Sequence, residues 1–132
     1  MRSTHFYDTS ILNVSIGGDK MTIINDVAYC RVSDALSIIS GKWKATILLT
    51  LISKGPLRYG ELKRLIGDIT PKILAEQLKE LEEEGLVLRE EFASVPLKVI
   101  YSMTEYGMTI EPILTSLHSW GIKHQSIQIA KK

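Results

Sequence analysis

Apolar residues in the middle of this chain recur with the period of an α-helix. Large apolar side chains lie four, five, eight and nine residues after Trp43, and this spacing predicts an amphipathic helix. Its end is predicted at Lys54-Gly55-Pro56, because glycine favours the left-handed conformation beyond a helix and proline cannot continue one. Ahead of it, Ser33 is the predicted N-cap of a shorter apolar helix that stops at Ser40-Gly41.

Two further short helices follow, separated by a break at Gly67-Asp68. The first is predicted to begin after Gly60. The second starts at Thr70-Pro71, where the threonine hydroxyl caps free backbone N–H groups and proline already has a helical φ. It is predicted to end at Gly85. The side chains of this second helix that are expected to face inward are Ile73, Leu74, Leu78 and Leu81.

The last third of the chain changes from strand to helix. Residues 86–92 and 97–103 are rich in apolar side chains and predict a β-hairpin. The segment at residues 57–59 is long enough only for a short edge strand. Thr104 is the predicted cap of a longer amphipathic helix that runs towards His124.

This order of elements predicts the fold. Two short helices joined by a tight turn and followed by a hairpin are typical of a winged helix-turn-helix. The predicted class is mainly α with a small β-hairpin wing (α+β). The same order also fits a small α+β domain with another purpose, because a fold does not determine a function.

Length and composition indicate one domain. The chain has 132 residues, of which 45% are apolar, so it has enough apolar surface for a single core. No apolar run reaches the ~18–20 residues of a membrane span. Residues 1–20 lack the continuous apolar segment of a signal peptide. We therefore expect a cytoplasmic protein that does not contact membranes.

The net charge is only +1, but the charges are segregated along the chain. Residues 42–72 contain seven basic and two acidic side chains, whereas residues 73–91 contain seven glutamates and two basic side chains. Segregated charge can form a basic face that attracts DNA on a nearly neutral protein. Two ordinary solvated surfaces are the alternative.

The helix that starts at Pro71 is the candidate reader of DNA bases. The candidates on its outer face are Lys72, Ala75, Glu76 and Lys79. Lysine reaches guanine acceptors, glutamate accepts from the cytosine amine, and a small alanine permits close approach. Gln77, at the edge of the buried face, either contacts adenine or a phosphate or supports the turn. Thr70 marks a helix N terminus that favours a phosphate, although it would cap the helix in any case.

Basic residues outside this helix are candidate phosphate contacts. Lys42, Lys44 and Arg58 precede the reading helix, and Lys98 lies just past the hairpin turn. The alternative for each is a solvated surface charge. With so little positive charge, the wing is expected to bind DNA weakly.

The final helix carries more apolar surface than a small domain needs. Ile113, Leu117 and Trp120 are the candidate dimer interface, because spare apolar helix surface is often buried against a second copy. Packing on the helix at residues 32–39 is the alternative. Trp43 and Trp120 are interpreted as core or dimer residues rather than as ligand-stacking ones.

The chain has a single cysteine, Cys30. One cysteine excludes an intrachain disulfide and a cysteine-rich zinc site. The adjacent Arg31 would favour a reactive thiolate, while a small buried apolar residue is the alternative. His118 and His124 are six residues apart and lack a metal-ligand spacing. No catalytic or nucleotide-binding motif stands out, so we expect neither an enzyme nor a cofactor.

Four segments resemble the HxlR-type winged helix-turn-helix regulators. They are SGKWKATILLTL at residues 40–51, GPLRYGELKRLI at 55–66, ITPKILAEQLKELEEEGLV at 69–87 and SVPLKVIYSMTEYG at 94–107. With Trp120-Gly121, the resemblance extends over residues 30–124. Three positions depart from it: Arg31 and Leu97 stand where the family often has proline, and Ile100 replaces a commonly polar wing residue.

The resemblance implies cytoplasmic transcription factors that dimerise through their terminal helices and bind inverted-repeat operators in duplex DNA. The helix at residues 71–84 would be the reader. In some members a cysteine matching Cys30 senses quinones, aldehydes or oxidants, so an electrophile or oxidant is a candidate inducer. We expect an N-terminal arm at residues 1–29, the HxlR-type domain at 30–126 and a C-terminal tail at 127–132. A DNA-independent interaction module that uses the apolar final helix is the alternative function.

Overall fold

The computed structural model describes residues 31–131, and the chain divides after Ser40. Helix α1, Val32–Ile39, belongs to the first part. Ser33 does not cap it: the helix begins two residues earlier than predicted, with Arg31 as its N-cap. The Arg31 guanidinium lies 3.0 Å from the carboxylate of Asp34 in the first turn. All other described elements lie in the second part.

Helix α2, Lys44–Lys54, supplies the centre of the core in the second part. The residue before it, Trp43, is its N-cap and is half-buried. The predicted helix end is confirmed, because Gly55 has a φ of 81° and its N–H donates to the Leu51 carbonyl at 2.9 Å. Its buried apolar side chains are Ile47, Leu48 and Leu51.

Helices α3, Tyr59–Ile66, and α4, Pro71–Glu83, form the predicted helix-turn-helix. The break between them falls at Gly67, which has a φ of 91°. The cap at Thr70 is confirmed, because its hydroxyl accepts a hydrogen bond from the Ile73 N–H at 3.2 Å. Helix α4 buries Leu74, Leu78 and Leu81, while Ile73 is only half-buried.

Three short strands form an antiparallel sheet in the order β1-β3-β2. Strand β1 is Leu57–Arg58, β2 is Val87–Phe92 and β3 is Lys98–Met103. The β2–β3 hairpin is the wing. Its base is anchored in the core by Val87 and Tyr101, which are buried. The fold is therefore mainly helical with a small sheet, and the predicted winged helix-turn-helix is confirmed.

The junction after the wing differs from the prediction. Thr104 does not cap the long helix; it lies three residues before a 3-10 helix, Gly107–Ile110, whose N-cap is Tyr106. The Thr104 hydroxyl accepts from the Gly107 N–H at 2.7 Å and donates to the Gly85 carbonyl at 2.6 Å. A sequence pattern does not distinguish a 3-10 turn from the α-helix that follows.

Helix α5, Glu111–Ala130, follows the 3-10 helix and ends six residues after His124. It therefore continues through residues 127–130, which were expected to be a tail. The predicted boundary between residues 29 and 30 lies outside the described residues. No single helix within residues 31–131 is long and apolar enough to span a membrane, and α1 and α2 reach that length and composition only when taken together.

Candidate nucleic-acid interface

The outer face of helix α4 presents the four predicted base readers together. Lys72, Ala75, Glu76 and Lys79 are all exposed, on the side away from the buried leucines. Lys72 and Lys79 are seven residues apart, which is about two helical turns or roughly 10 Å along the axis. Gln77 is half-buried at the margin of this face.

The N terminus of α4 is tied to the start of α3 by a hydrogen bond that the sequence analysis missed. The Tyr59 hydroxyl donates to the Pro71 carbonyl at 2.7 Å. Desolvation by burial raises the pKa of Tyr59, and interaction with Tyr101 raises it further. The phenol therefore stays protonated, and able to donate, throughout the neutral range. The sequence pattern predicts Tyr59 in the edge strand, and no local pattern indicates its hydrogen-bond partner twelve residues away.

Lys44 does not match the expected phosphate contact. Its ammonium lies 2.6 Å from the Oε1 atom of Glu80 on α4, and its side chain is 14% exposed. The Glu80 side chain is 50% exposed. The charge of Lys44 is therefore already paired within the protein, and most of its side chain is covered. We therefore do not propose Lys44 as a DNA contact.

The other predicted phosphate contacts remain exposed. The Lys42 ammonium lies 4.8 Å from the centre of the neighbouring Trp43 ring. Arg58, at the end of β1, uses its backbone N–H to bind the Glu61 carboxylate at 2.8 Å, which leaves its guanidinium outside that cap. Neither Lys42 nor Arg58 forms an ion pair with a carboxylate in the part of the chain that the structure describes.

The wing presents little positive charge. Lys98 lies 5.5 Å from the centre of the Phe92 ring. Arg89, the second basic residue of the hairpin, bonds to Glu91 at 2.5 Å, and its pKa is raised by hydrogen bonds to Glu91 and then Tyr101. Glu90 is also exposed on β2. The two basic side chains are therefore offset by two glutamates, so this surface has little attraction for a phosphate backbone.

Helix α5 exposes the residues predicted for the dimer interface. Ile113 is 57% exposed, Leu117 44% and Trp120 63%, and together they line an open apolar groove. The Trp120 ring stacks on His124 with 5.0 Å between ring centres. Trp120 is thus not a core residue of the single chain, and Trp43 is only partly one.

Cys30 lies outside the described residues. Its neighbour Arg31 is exposed and paired with Asp34 at 3.0 Å. Among residues 31–131, no three His, Cys, Asp or Glu side chains lie close enough together to hold a metal ion.

Comparison with known proteins agrees with this architecture. The family described as HxlR-like helix-turn-helix matches residues 38–128. An HTH-type transcriptional regulator of Halalkalibacterium halodurans is 53% identical over 91 residues, which are 69% of this chain and 80% of the relative.

Solved structures are similar as well. The redox regulator HypR in its reduced form is 39% identical, with a TM-score of 0.72 over 76% of this chain and 99% of HypR. The reduced form of the transcriptional regulator YodB from B. subtilis is 34% identical, with a TM-score of 0.62 over 68% of this chain and 87% of YodB.

Proposed function

The chain belongs to the HxlR-like helix-turn-helix family, whose relatives are transcriptional regulators rather than enzymes, and we propose that it binds an operator in duplex DNA as a cytoplasmic homodimer. The observation that carries this proposal is the outer face of α4. That face presents two lysines, a glutamate and an alanine above a stripe of buried leucines.

Helix α4 would enter the major groove with its N-terminal part, as far as Lys79. Lys72 and Lys79 would donate to guanine O6 and N7, and Glu76 would accept from a cytosine amine. Ala75 lets the helix approach the bases closely, and Gln77 reaches adenine or a phosphate from the margin. The helix N terminus at Thr70 favours a nearby phosphate, because partial positive charge accumulates there.

Phosphate contacts would come mainly from Lys42 and Arg58, which are exposed and unpaired with carboxylates among residues 31–131. Lys98 would add little, because the wing carries nearby glutamates. Each phosphate that is neutralised adds about 0.9 to the slope of log affinity against log salt concentration. Binding is therefore expected to weaken steeply as salt is added.

The exposed groove of α5 supports the homodimer. Burying Ile113, Leu117 and Trp120 against the same residues of a second copy would remove apolar surface from water. A two-fold dimer would present its two α4 helices to successive major grooves, about 34–36 Å apart. Such a dimer matches an inverted-repeat operator.

The test is a fluorescence-anisotropy titration against the intergenic DNA upstream of the gene, at low and moderate salt, with scrambled DNA for comparison. We expect Lys72→Ala and Lys79→Ala to weaken operator binding. Lys131→Ala is the matched control, because it removes an exposed lysine just beyond α5. If both α4 variants bind like the parent, α4 is not the reader. If the protein shows no salt-sensitive binding to duplex DNA, the alternative function is favoured, in which α5 binds a partner protein.

A thiol response at Cys30 is the second proposal, and an oxidant or electrophile would be the inducer. It is supported by the similarity to HypR, a redox regulator. Because Cys30 is the single cysteine, a disulfide between two copies of this chain must join Cys30 to Cys30. Diamide would accept the two electrons and two protons that this bond releases. A non-reducing gel of parent and Cys30→Ser, with operator binding measured in parallel, tests this. A parent that stays monomeric on the gel and binds DNA unchanged after diamide refutes disulfide sensing.

A further inference from the structure

We propose that Lys44 is a positioning residue, which acts through Glu80 to hold the reading helix α4 in place on α2. The inference rests on the proposed function of α4. In this role the Lys44 ammonium pairs with Glu80 within the protein and does not contact a DNA phosphate.

The geometry of the pair carries this assignment. Lys44 is the first residue of α2, and Glu80 lies in the third turn of α4. Their charged atoms are 2.6 Å apart, and the lysine side chain is 14% exposed. Hydrogen bonds between two ionised groups are short and directional. Loss of Glu80 would leave the largely covered Lys44 ammonium without its partner, although Glu80 itself is half exposed. The pair therefore favours the present position of α4 on α2.

The pair also changes the charge that DNA meets. The C-terminal half of α4 contains Glu80, Glu82, Glu83 and Glu84, and Glu80 directly follows the proposed base reader Lys79. An unpaired carboxylate at this position would repel phosphates. The ammonium of Lys44 neutralises it, while the other three glutamates lie further towards the end of the helix.

A second polar contact holds the other end of α4. The Tyr59 hydroxyl binds the Pro71 carbonyl at 2.7 Å, and Pro71 and Glu80 are nine residues or about 14 Å apart along the axis. The leucines between them pack through apolar contacts, which are not directional. The two polar contacts therefore restrict rotation and sliding of α4, and these movements determine which side chains reach the bases.

The salt dependence of DNA binding separates this role from that of a phosphate contact. Loss of one phosphate contact lowers the salt slope by about 0.9 and weakens operator and random DNA alike. Loss of a positioning residue weakens the operator selectively and leaves the slope unchanged. Lys44→Met also frees the Glu80 carboxylate, so we expect a small loss of affinity for random DNA. We expect a larger loss, about fivefold or more, for the operator.

Glu80→Gln gives the decisive comparison, because it removes the charge but keeps the size of the side chain. If Glu80 only repelled DNA, this change would strengthen binding. We expect it to weaken operator binding, as Lys44→Met does, and the double variant to be no worse than either single variant. Glu83→Gln is the matched control. It removes an exposed glutamate from the same helix and is expected to leave operator binding equal or slightly tighter.

The experiment is a set of anisotropy titrations of the parent and these four variants against operator and random duplexes over a salt series. Thermal unfolding of each variant checks that it is folded. A salt slope about one unit lower for Lys44→Met, or tighter binding by Glu80→Gln, overturns the positioning role while the proposed function stands. A parent that binds no duplex at any salt overturns the proposed function and the inference together.

Discussion

Replacing Gly107 by alanine tests the junction between the wing and helix α5. A Cβ atom at this position would lie 2.1 Å from the Leu86 carbonyl oxygen and 3.0 Å from the Cε atom of Met103. Contacts shorter than 3.0 Å essentially never occur for real Cβ atoms. The backbone of Leu86 cannot yield freely, because its carbonyl also accepts from the Thr104 N–H at 3.1 Å.

The magnitude follows from the size of this overlap. Relieving it requires a displacement of about 0.9 Å, the difference between 3.0 and 2.1 Å, and the atom that must move belongs to the backbone. Overpacking of a core costs about 1–3 kcal/mol, and a backbone clash belongs at the upper end. A loss of ~3 kcal/mol in a domain of this size lowers Tm by about 10 °C.

Thermal unfolding followed by circular dichroism measures the effect. Gly60→Ala is the matched control, because the added methyl group has no atom within 4 Å and Gly60 lies in helix α3. Alanine in a helix is favoured over glycine by roughly 0.5–1 kcal/mol, so this variant is expected to match or exceed the parent. If Gly107→Ala unfolds at the same temperature as the parent, the junction relaxes without cost and the argument from close approach is wrong.

Other expected outcomes concern single contacts. Thr70→Ala should cost about 1 kcal/mol of unfolding free energy in chemical denaturation, and Thr70→Ser should retain most of it. Tyr59→Phe should destabilise the protein at neutral pH. The folded pKa of Tyr59 is raised above 10.0. Its contribution to the free energy of unfolding is therefore full below pH 10 and is lost as the pH rises through the raised value. Denaturation at pH 7–11 should show the stability of the parent approaching that of the variant, and a constant difference between them contradicts this. Leu117→Glu should shift the protein from dimer to monomer in light scattering, and an unchanged mass would rule out the α5 interface. Lys98→Ala should leave operator affinity nearly unchanged, whereas a salt slope lower by about 0.9 would mean that the wing does hold a phosphate.

Local signals account for the parts of the fold that could be predicted from the sequence. Gly55 and Gly67 adopt positive φ where helices were expected to end, and Thr70 caps α4 as expected. In each case the interacting groups lie within a few residues of each other. Periodicity then identified which face of α4 is buried, and with it the exposed set of candidate base readers.

Contacts between distant residues account for the rest. Thr104 donates to the Gly85 carbonyl across 19 residues, so its neighbours in sequence could not reveal this bond. Lys44 is likewise 36 residues from Glu80, and as a lysine at a helix start it resembled a typical phosphate contact. Only the packing of α2 against α4 makes the two side chains partners.

The backbone of Leu86 is hydrogen-bonded to α4 on one side and to the segment before α5 on the other. Its N–H donates to the Leu81 carbonyl of α4 at 3.0 Å, and its carbonyl binds Thr104, just ahead of the turn into α5. In the proposed dimer, α5 is about 30 Å long, so a small change in its angle moves its far end appreciably. A change of about 5° in its angle would displace the far end by roughly 3 Å. The distance between the two α4 helices of the dimer would then depend on the angle of α5, a helix that is not proposed to contact DNA.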